Sequence, residues 1–490
     1  MFFKQKSNVI FRNYESFGFI TDNRNFGYKK ASSNETHIGD KIISESGAVF
    51  MSVLDKKPQN IDELAKRIIK QFTDVDIRTI KNDAIEFYYM LERDGFILSG
   101  ETIRECDEKD MKFSYKTLES GIINKDSTIM HPEKSTQEFL EEYFQGKPQL
   151  TNLHIEITSK CNERCLHCYI PHDNKVSHIE TDLFYDVLKQ CKNMRLLHLT
   201  LSGGEPMLHK NFCDFLRKCK EYDFSVNVLS NLTLLNDEII KEMKANPLLG
   251  VQVSLYSMNS NVHDEITQMK GSFEKTKNAI LKLIENDIPL QISCPIVRQN
   301  KNCYEDVIKW AKMNNIHVGD DYIIIASYNH TTQNLSCRLS INEIKEVIND
   351  KFANDAKYLE LIEIAAEKKK NITLNDFVCS VCHSSICIAD NGNVYPCAGW
   401  QNYIVGNVKD TSLIDIWENS VKIQYLRNLR NKDFHKCIQC TDKEFCTMCM
   451  VRNANESPQG DPLVVNEYFC NIAKLNKEIV LEQKEKLTNY

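Results

Sequence analysis

Apolar segments of strand length alternate with amphipathic segments along residues 148–335. Six apolar runs are predicted to be strands: Leu153–Thr158, Leu196–Leu201, Ser225–Leu229, Val251–Leu255, Leu290–Ile296 and Tyr322–Ala326. Five segments between them repeat apolar residues at helical spacing: Asp182–Lys192, Phe212–Tyr222, Asp237–Ala245, Phe273–Asn286 and Tyr304–Asn314. The alternation predicts an α/β domain with six βα units, open or curled into a partial barrel, whose chemistry lies beyond the carboxyl ends of the strands.

The first hundred residues carry a different pattern, in which short strand-like runs precede helices. The predicted strands are Val9–Arg12, Gly18–Thr21 and Lys41–Ser44, and the predicted helices are Ala48–Leu54, Asn60–Phe72 and Val75–Asp94. Asn60 is a predicted N-cap, and Gly95 is placed to end the third helix. This β3α3 order over residues 1–100 is typical of a winged-helix domain, which by itself fits DNA binding or a structural role.

Three further segments complete the chain. Residues 101–147 form a polar connector, and residues 336–376 form a helical bridge rich in lysine and glutamate. Residues 377–490 are rich in loops and cysteines, so bound metal would have to replace part of a hydrophobic core there.

The composition narrows the function classes. The 490 residues include 61 basic and 68 acidic side chains, for a formal charge of -7, with 42% apolar residues. No polybasic segment indicates a nucleic-acid partner, and no apolar stretch approaches the roughly 18 residues that span a bilayer. The amino terminus lacks a secretory signal pattern. We therefore expect a cytoplasmic protein that binds neither nucleic acid nor membrane.

Nineteen cysteines are unusual for such a chain, and in a reducing compartment clustered thiols indicate metal binding. Cys161, Cys165 and Cys168 form a C-x3-C-x2-C pattern directly after the first predicted barrel strand. Spacing alone permits a zinc site completed by water, or an iron–sulfur cubane whose fourth iron binds a small molecule.

The end of the next strand decides between these two sites. It reads Ser202-Gly203-Gly204-Glu205-Pro206, where the glycines permit close approach to a ligand and the carbonyls and carboxylate can accept from an ammonium group. Together with the C-x3-C-x2-C-Tyr pattern, this segment resembles the radical S-adenosylmethionine enzymes, over roughly Leu153 to Ala326.

The resemblance implies a partial (β/α)6 barrel and a [4Fe–4S] cluster held by Cys161, Cys165 and Cys168. It also implies S-adenosylmethionine contacts at Tyr169, Gly203, Gly204, Glu205, Asn231 and Ser254. In that family the Gly-Gly-Glu segment contacts the methionine amino group, the aromatic residue packs near the adenine, and the serine contacts the ribose. Two positions depart from the family pattern. Leu232 replaces the usual glycine after Asn231, and the usual arginine after His263-Asp264 is absent, which leaves Arg298 as a candidate for the methionine carboxylate.

The carboxyl-terminal cysteines begin with the pattern Cys387-x4-Gly392-x4-Cys397, continue with Cys437-x2-Cys440-x5-Cys446-x2-Cys449 and end, after a gap, with Cys470. This order resembles the twin-cluster SPASM extension of peptide-modifying radical enzymes. The family's crossed ligation implies two more [4Fe–4S] clusters. Auxiliary site I would comprise Cys382, Cys387, Cys397 and Cys449, and auxiliary site II Cys437, Cys440, Cys446 and Cys470. Cys379 competes with Cys382 for auxiliary site I. A pair of zinc ribbons is the alternative that the Cys-x2-Cys pairs permit.

Beside such a core, the winged-helix domain resembles the PqqD-like element that recognises precursor peptides. The resemblance implies a leader peptide added as a strand in the groove between Lys41–Ser44 and Asn82–Glu92. All three parts together resemble thioether-forming maturases of the sactipeptide and ranthipeptide kind, supplied by a flavodoxin- or ferredoxin-type electron donor. The alternatives are carbon–carbon cross-linking or epimerisation of a peptide, sulfatase-type maturation, and a metal-ribbon scaffold without enzymatic activity. No residue is identified from the sequence as the general base or hydrogen donor.

Overall fold

The computed structural model of the protein describes residues 1–23, 39–111, 136–144, 146–354, 358–370 and 372–488. Most of the predicted connector, residues 112–135 and 145, lies outside this described part; its described residues include helices α4 (Ile103–Met111) and α5 (Thr136–Tyr143). Across the described ranges, no helix is long and apolar enough to cross a membrane.

The amino-terminal region folds around its own apolar core. Its described elements are β1 (Phe2–Gln5), β2 (Ile10–Asn13), β3 (Gly18–Thr21), β4 (Asp40–Ile43), α1 (Glu45–Ser52), β5 (Gln59–Asn60), α2 (Ile61–Ile68), α3 (Ile77–Arg93) and β6 (Ile97–Gly100). They form two antiparallel sheets, with orders β2-β3-β4 and β5-β1-β6. The predicted strands and helices are confirmed to within a few residues. The second sheet was not predicted, because β1 pairs with strands distant in sequence.

Local signals place the ends of these helices. The Asn60 side chain accepts a hydrogen bond from Asp62 N (2.9 Å), which confirms the predicted N-cap of α2. Gly95 has a φ of 87° just after α3, as expected for a glycine that ends a helix. Inside the core, the Tyr88 hydroxyl donates to the Phe50 carbonyl (2.8 Å), so this buried polar group is satisfied.

The central domain confirms the predicted alternation of strands and helices. Its strands are β7 (Asn152–Thr158), β8 (His198–Gly203), β9 (Ser225–Ser230), β10 (Leu249–Ser254), β11 (Leu290–Pro295) and β12 (His317–Asp321). Its helices are α6 (Thr181–Asn193), α7 (Phe212–Glu221), α8 (Asp237–Lys244), α9 (Ser260–Thr267), α10 (Ser272–Glu285) and α11 (Tyr304–Met313). The six strands pair in parallel in the order β12-β11-β10-β9-β8-β7, consistent with a partial parallel-sheet barrel.

The sixth strand was predicted wrongly. The strand that pairs with β11 is His317–Asp321, not the apolar run Tyr322–Ala326 that follows it. β12 is an edge strand whose residues are exposed or half-buried, so it carries polar side chains. Ile324 instead packs in a small apolar cluster with Tyr256 and Val297, which explains why the run is apolar without being a strand.

The cysteine-rich region continues the same sheet. Its elements, after the bridging helices α12 (Ile341–Asn354) and α13 (Tyr358–Lys370), are β13 (Ser385–Ile388), β14 (Asn393–Tyr395), β15 (Gly406–Asn407), α14 (Leu413–Asn419), α15 (Val421–Asn428), α16 (His435–Ile438), α17 (Met450–Glu456) and α18 (Glu467–Thr488). β13 lies parallel to β7, with Ser385 opposite Asn152 and Ile388 opposite Ile155. β14 and β15 follow antiparallel, which gives a nine-stranded sheet. The carboxyl-terminal region is therefore anchored directly to the first barrel strand.

The amino-terminal region docks at the amino ends of the barrel strands. Arg12 donates to Leu196 O (2.6 Å) and Asp223 O (2.7 Å), in the segments that precede β8 and β9. The Tyr14 hydroxyl donates to Arg195 O (3.1 Å). The carboxyl ends of the strands, where the cysteine motif begins, lie at the opposite end of the sheet.

Candidate functional site

The three cysteines that follow β7 lie on one loop, residues 159–170, which we call the cysteine loop. It carries the half-buried Cys161, Cys165 and Cys168. Arg164 N donates to Thr267 O (3.0 Å) and Leu166 N donates to Ile266 O (2.9 Å). These two bonds fasten the backbone of the loop to the end of α9.

The thiols of this loop converge. Cys161 Sγ accepts a hydrogen bond from Glu163 N (3.4 Å), and Cys165 Sγ lies 3.4 Å from Glu163 Oε2. Burial raises the pKa of Cys161 to about 11, and burial with the nearby Glu163 and Cys168 raises the pKa of Cys165 well above its ordinary value. Glu163 Oε1 and His167 Nδ1 are buried without a hydrogen-bond partner in the described chain. Three thiols beside orphaned polar atoms fit an iron–sulfur cluster with one open coordination position.

The glycine pair lets β8 approach the cysteine loop closely. Gly203 has a φ of 137°, and a Cβ there would lie 1.9 Å from Thr158 O. A Cβ on Gly204 would lie 2.2 Å from Lys160 O. In this gap Gly204 N donates to Thr158 O, and Glu205 N donates to Lys160 O, both at 2.8 Å. The glycines thus have a packing role in the protein, besides the ligand contact that the sequence predicts.

Glu205 is fully buried directly after β8. Its carboxylate accepts from Met207 N (3.0 Å), Asn231 N (2.8 Å) and the Ser230 hydroxyl (2.9 Å). Burial raises the pKa of Glu205 to about 7, while these three donors oppose the shift. Glu205 therefore holds the end of β9 against the end of β8.

Asn231 joins this network to the cysteine loop. Its Nδ2 donates to Asn162 Oδ1 (3.0 Å), and its Oδ1 accepts from Thr233 N (3.0 Å). The next residue, Leu232, has a φ of 60° and is buried. Leucine here adopts the left-handed conformation that favours glycine, so the tight turn is kept although the glycine is absent.

Tyr169 and Ser254 border the same end of the sheet. Ser254 is the last residue of β10 and is half-buried. The Tyr169 hydroxyl lies 3.4 Å from Glu156 Oε1, and its carbonyl accepts from Tyr328 N (3.1 Å). The tyrosine thus spans the space between the cysteine loop and β7.

Glu156 is a residue that the motif analysis missed. It is 3% exposed, and Gln401 Nε2 donates to its Oε2 (2.5 Å). Burial raises the pKa of Glu156 to about 8. Ligand atoms of His154, Glu156 and Cys387 all lie within 4.8 Å of one another. A signal was available in the sequence, because His154 and Glu156 are polar at alternate positions of an otherwise apolar strand and must share one face.

The cysteines of auxiliary site I are brought together around Cys397. Burial and the thiols of Cys449 and Cys397 raise the pKa of Cys379 to about 11. Burial also raises the pKa of Cys382 to about 12, with Cys379 and Cys397 contributing, and Cys387 is buried in β13 near Cys397. Both Cys379 and Cys382 lie near Cys397, so the choice between them stays a prediction. Two buried and three half-buried thiols near one place fit an iron–sulfur cluster.

The cysteines of auxiliary site II form a second group nearer the surface. Burial raises the pKa of Cys437 to about 11, and the thiols of Cys446, Cys470 and Cys440 contribute. Lys369 Nζ from α13 donates to Cys446 O (3.0 Å), so the bridging helix packs on this group.

The candidate Arg298 is held elsewhere. Its guanidinium pairs with Glu343 (3.3 Å) and donates to Ser336 O (3.1 Å), toward the bridging helices. His263 lies inside α9, where its Nδ1 accepts from Tyr256 N (3.3 Å), and it is 1% exposed. Neither residue joins the network of the cysteine loop.

Comparison with known families agrees with this geometry. A family model described as the radical SAM superfamily matches residues 155–311, and the SPASM model, described as an iron-sulfur cluster-binding domain, matches residues 379–441. The AdoMet-dependent heme synthase of Methanosarcina barkeri is 24% identical over 316 residues, which are 61% of this chain and 90% of that protein. The subtilosin biosynthesis protein AlbA of Bacillus subtilis is 26% identical over 317 residues, which are 62% of this chain and 68% of that protein.

A solved structure extends the likeness to nearly the whole chain. Streptococcus suis SuiB, in a crystal structure with its precursor peptide SuiA, covers 96% of this chain and 100% of its own, with a TM-score of 0.58 and 14% identity. The two proteins therefore share a fold. The chain carries a radical SAM domain followed by a SPASM domain, and these domains imply iron–sulfur clusters and S-adenosylmethionine as cofactors.

Proposed function

We propose that the protein is a radical S-adenosylmethionine enzyme that modifies a ribosomally made precursor peptide and forms cysteine thioether cross-links. The single observation that carries the peptide substrate is the fold shared with SuiB over 96% of the chain, which includes the amino-terminal region. The heme synthase match covers only 61% of the chain. AlbA, named for the biosynthesis of a bacteriocin, supports the same substrate class.

The proposed cofactor ligands follow the cysteine groups. Cys161, Cys165 and Cys168 would hold the first [4Fe–4S] cluster, and auxiliary sites I and II would hold two more. When bound, S-adenosylmethionine at the first cluster would supply a carbon radical that abstracts a hydrogen atom. The two auxiliary clusters would supply one-electron acceptors. Gly203, Gly204, Glu205, Asn231, Tyr169 and Ser254 would contact S-adenosylmethionine. The network of Glu205, Asn231 and Asn162 supports this assignment, because it fixes the ends of β8 and β9 against the cysteine loop.

The overall reaction balances as follows. A peptide C–H bond and a cysteine S–H bond are replaced by one C–S bond. One supplied electron would break the sulfonium C–S bond of S-adenosylmethionine, which releases methionine and leaves the peptide hydrogen atom in 5'-deoxyadenosine. The thiol proton would pass to a base, and the one electron left over when the C–S bond forms would pass to an oxidised auxiliary cluster. Glu156 lies in β7 close to Cys387, and Gln401 from the loop after Cys397 donates to it, so the two side chains can orient the peptide.

We propose that the amino-terminal domain binds the leader of the precursor along β4. In the described chain β4 pairs only with β3. The end of α3 lies close to β4, because Lys41 of β4 forms an ion pair with Asp94, the residue that follows α3 (2.5 Å). The domain docks at the amino ends of the barrel strands, whereas the cysteine loop is at their carboxyl ends. A six-residue strand is about 20 Å long, so leader and core must be separated by on the order of six or more extended residues. The electron donor would be a flavodoxin or ferredoxin.

Co-expression with a candidate precursor, a short cysteine-containing peptide sought among the reading frames next to this gene, tests the proposal. We expect mass spectrometry to show a loss of two hydrogens per cross-link, with the affected cysteines protected from alkylation. The same mass loss with every cysteine still alkylated would indicate carbon–carbon cross-linking instead. An unchanged mass with inverted stereocentres would indicate epimerisation, and a substrate without cysteine would rule out thioethers.

A further inference from the structure

Arg427 in α15 is a buried cation beside auxiliary site I. It is 8% exposed, and its Nε donates to Cys382 O (2.6 Å). The guanidinium carbon lies 4.2 Å from the centre of the Trp417 ring. Its Nη2 is buried and has no hydrogen-bond partner among the described residues.

No carboxylate of the described chain lies within ion-pairing distance of Arg427. The negative groups that act on Arg427 are the thiol of Cys382 and the exposed carboxylate of Glu418, and burial still lowers the pKa of Arg427. Arg427 and Arg430 both lower the pKa of His383, after burial. Arg430 itself stacks on Phe377 (4.1 Å) and donates to Arg427 O. The protein therefore places two arginines next to the segment that carries Cys382.

Two half-buried arginines of the described chain, Arg338 and Arg12, have acceptors for their guanidinium donors. Arg338 forms two hydrogen bonds with Glu456, at 2.7 and 3.1 Å. Arg12 donates to three carbonyl oxygens, those of Leu196, Phe11 and Asp223. Arg427 differs because one of its buried nitrogens has neither a carbonyl nor a carboxylate beside it.

A buried cation without a countercharge costs several kcal/mol, so such a group is normally paired. An iron–sulfur cubane held by four thiolates is anionic in both of its redox states. The Cys382 thiol, which lies near Cys397, is close enough to this guanidinium for the cation to oppose the rise in its pKa. We infer that Arg427 is the countercharge of the cluster in auxiliary site I and raises its reduction potential. The inference rests on the proposed occupancy of that site, but not on whether Cys379 or Cys382 is the ligand, because Arg427 contacts the backbone of Cys382.

The direction of the effect follows from charge. Reduction adds one electron to the cluster, so the reduced form is the more negative one. A fixed cation held in a poorly solvated site stabilises the more negative form most. Removing that cation must therefore make the cluster harder to reduce.

A potentiometric titration followed by electron paramagnetic resonance tests the inference. The protein would carry Ala at Cys161, Cys165 and Cys168, so that only the auxiliary clusters are observed, and redox mediators would supply the electron. We expect Arg427→Met and Arg427→Gln to lower the equilibrium constant for reduction of one auxiliary cluster at least tenfold, which is about 59 mV for a one-electron couple. Arg427→Lys should keep most of the wild-type potential.

Lys422→Met is the matched control, because it removes one cation from the same helix at an exposed position. Its potentials should equal those of the wild type. Unchanged potentials in Arg427→Met with full iron content would overturn the inference. If Arg427→Met loses iron, restoration by Arg427→Lys supports the countercharge, and failure of Arg427→Lys to restore it points to packing alone and overturns it. Wild-type protein without auxiliary iron would instead contradict the proposed function.

Discussion

Gln401 Nε2 donates a 2.5 Å hydrogen bond to the carboxylate of Glu156, which joins the loop after Cys397 to the first barrel strand. The raised pKa of Glu156, about 8, means that the folded protein favours the protonated carboxyl. Glu156 therefore destabilises the fold least below its unfolded pKa of about 4.5, where its carboxyl is protonated in both states. This stability is lost as the pH rises through 8, because the buried carboxyl must then ionise.

Glu156→Gln removes this dependence while keeping the shape and the acceptor oxygen. Between pH 5.5 and 8.5 we expect the variant to gain on the order of 2 kcal/mol relative to wild type. Thermal melts at the two pH values measure it. Glu418→Gln, which alters an exposed carboxyl, should follow wild type at both. Parallel melting of Glu156→Gln and wild type at both pH values would contradict the burial argument.

Gly203→Ala and Gly204→Ala should each disrupt the cysteine loop. The added methyl groups would meet Thr158 O at 1.9 Å and Lys160 O at 2.2 Å, and neither oxygen can move without breaking the backbone bonds between β8 and the loop. We expect a loss of about 3 kcal/mol or more in stability, together with loss of iron from the first cluster.

Gly319→Ala in β12 is the control for these two variants. The nearest atom to its Cβ would be Ile292 O at 4.0 Å, so stability should change by less than about 1 kcal/mol. Normal iron content in Gly204→Ala would show that the close approach is not required for the cluster.

Iron analysis separates the cysteine groups. Replacing Cys161 with Ala should remove about four iron atoms per chain, because the first cluster loses a ligand. Replacing the buried core residue Cys191 should leave the iron content unchanged. At auxiliary site I we expect Cys382→Ala to lower the iron and Cys379→Ala to spare it. The reverse result would make Cys379 the ligand.

Glu343 forms a capping box at the start of α12. Ser340 N donates to its carboxylate (2.8 Å), Glu343 N donates to Ser340 Oγ (3.3 Å), and Lys301 pairs with it at 3.2 Å. These contacts lower the pKa of Glu343 to about 2. The backbone hydrogen bond from Ser340 contributes most, and the Ser340 hydroxyl and Lys301 add to it. Such a group stabilises the fold above its unfolded pKa of about 4.5, and the benefit is lost as the pH falls through 2.

We therefore expect Glu343→Gln to cost about 1 kcal/mol at pH 7 and nothing near pH 2. Thermal melts across this range measure the difference. Glu346→Gln is the control, since Glu346 also pairs with Lys301 but its side chain is 65% exposed. An equal cost for both substitutions at pH 7 would mean that the cap adds nothing to the ion pairs.

Periodicity located most elements because each strand and helix carries its own pattern of apolar residues. The helix that begins after Asn60 and the parallel strands β7 to β11 follow such local signals. β12 carries no such signal, because it is an edge strand whose side chains are exposed or half-buried. The apolar run that follows it, Tyr322–Ala326, packs against other residues and is not a strand. The pairing of β13 with β7 had no local signal, since parallel strands more than 200 residues apart are matched only in the folded chain.

The amino-acid sequence alone identifies the residues that are chemically able to bind metal, because thiols and their spacing are set by the covalent chain. It also determined that Gly203 and Gly204 stand where the backbone needs room. Folding, in contrast, brings Gln401 to Glu156 and Arg427 to Cys382, where no carboxylate of the described residues is within ion-pairing distance. Burial and charge pairing depend on residues far apart in the chain, so these relationships exist only once the sheet and its helices have packed.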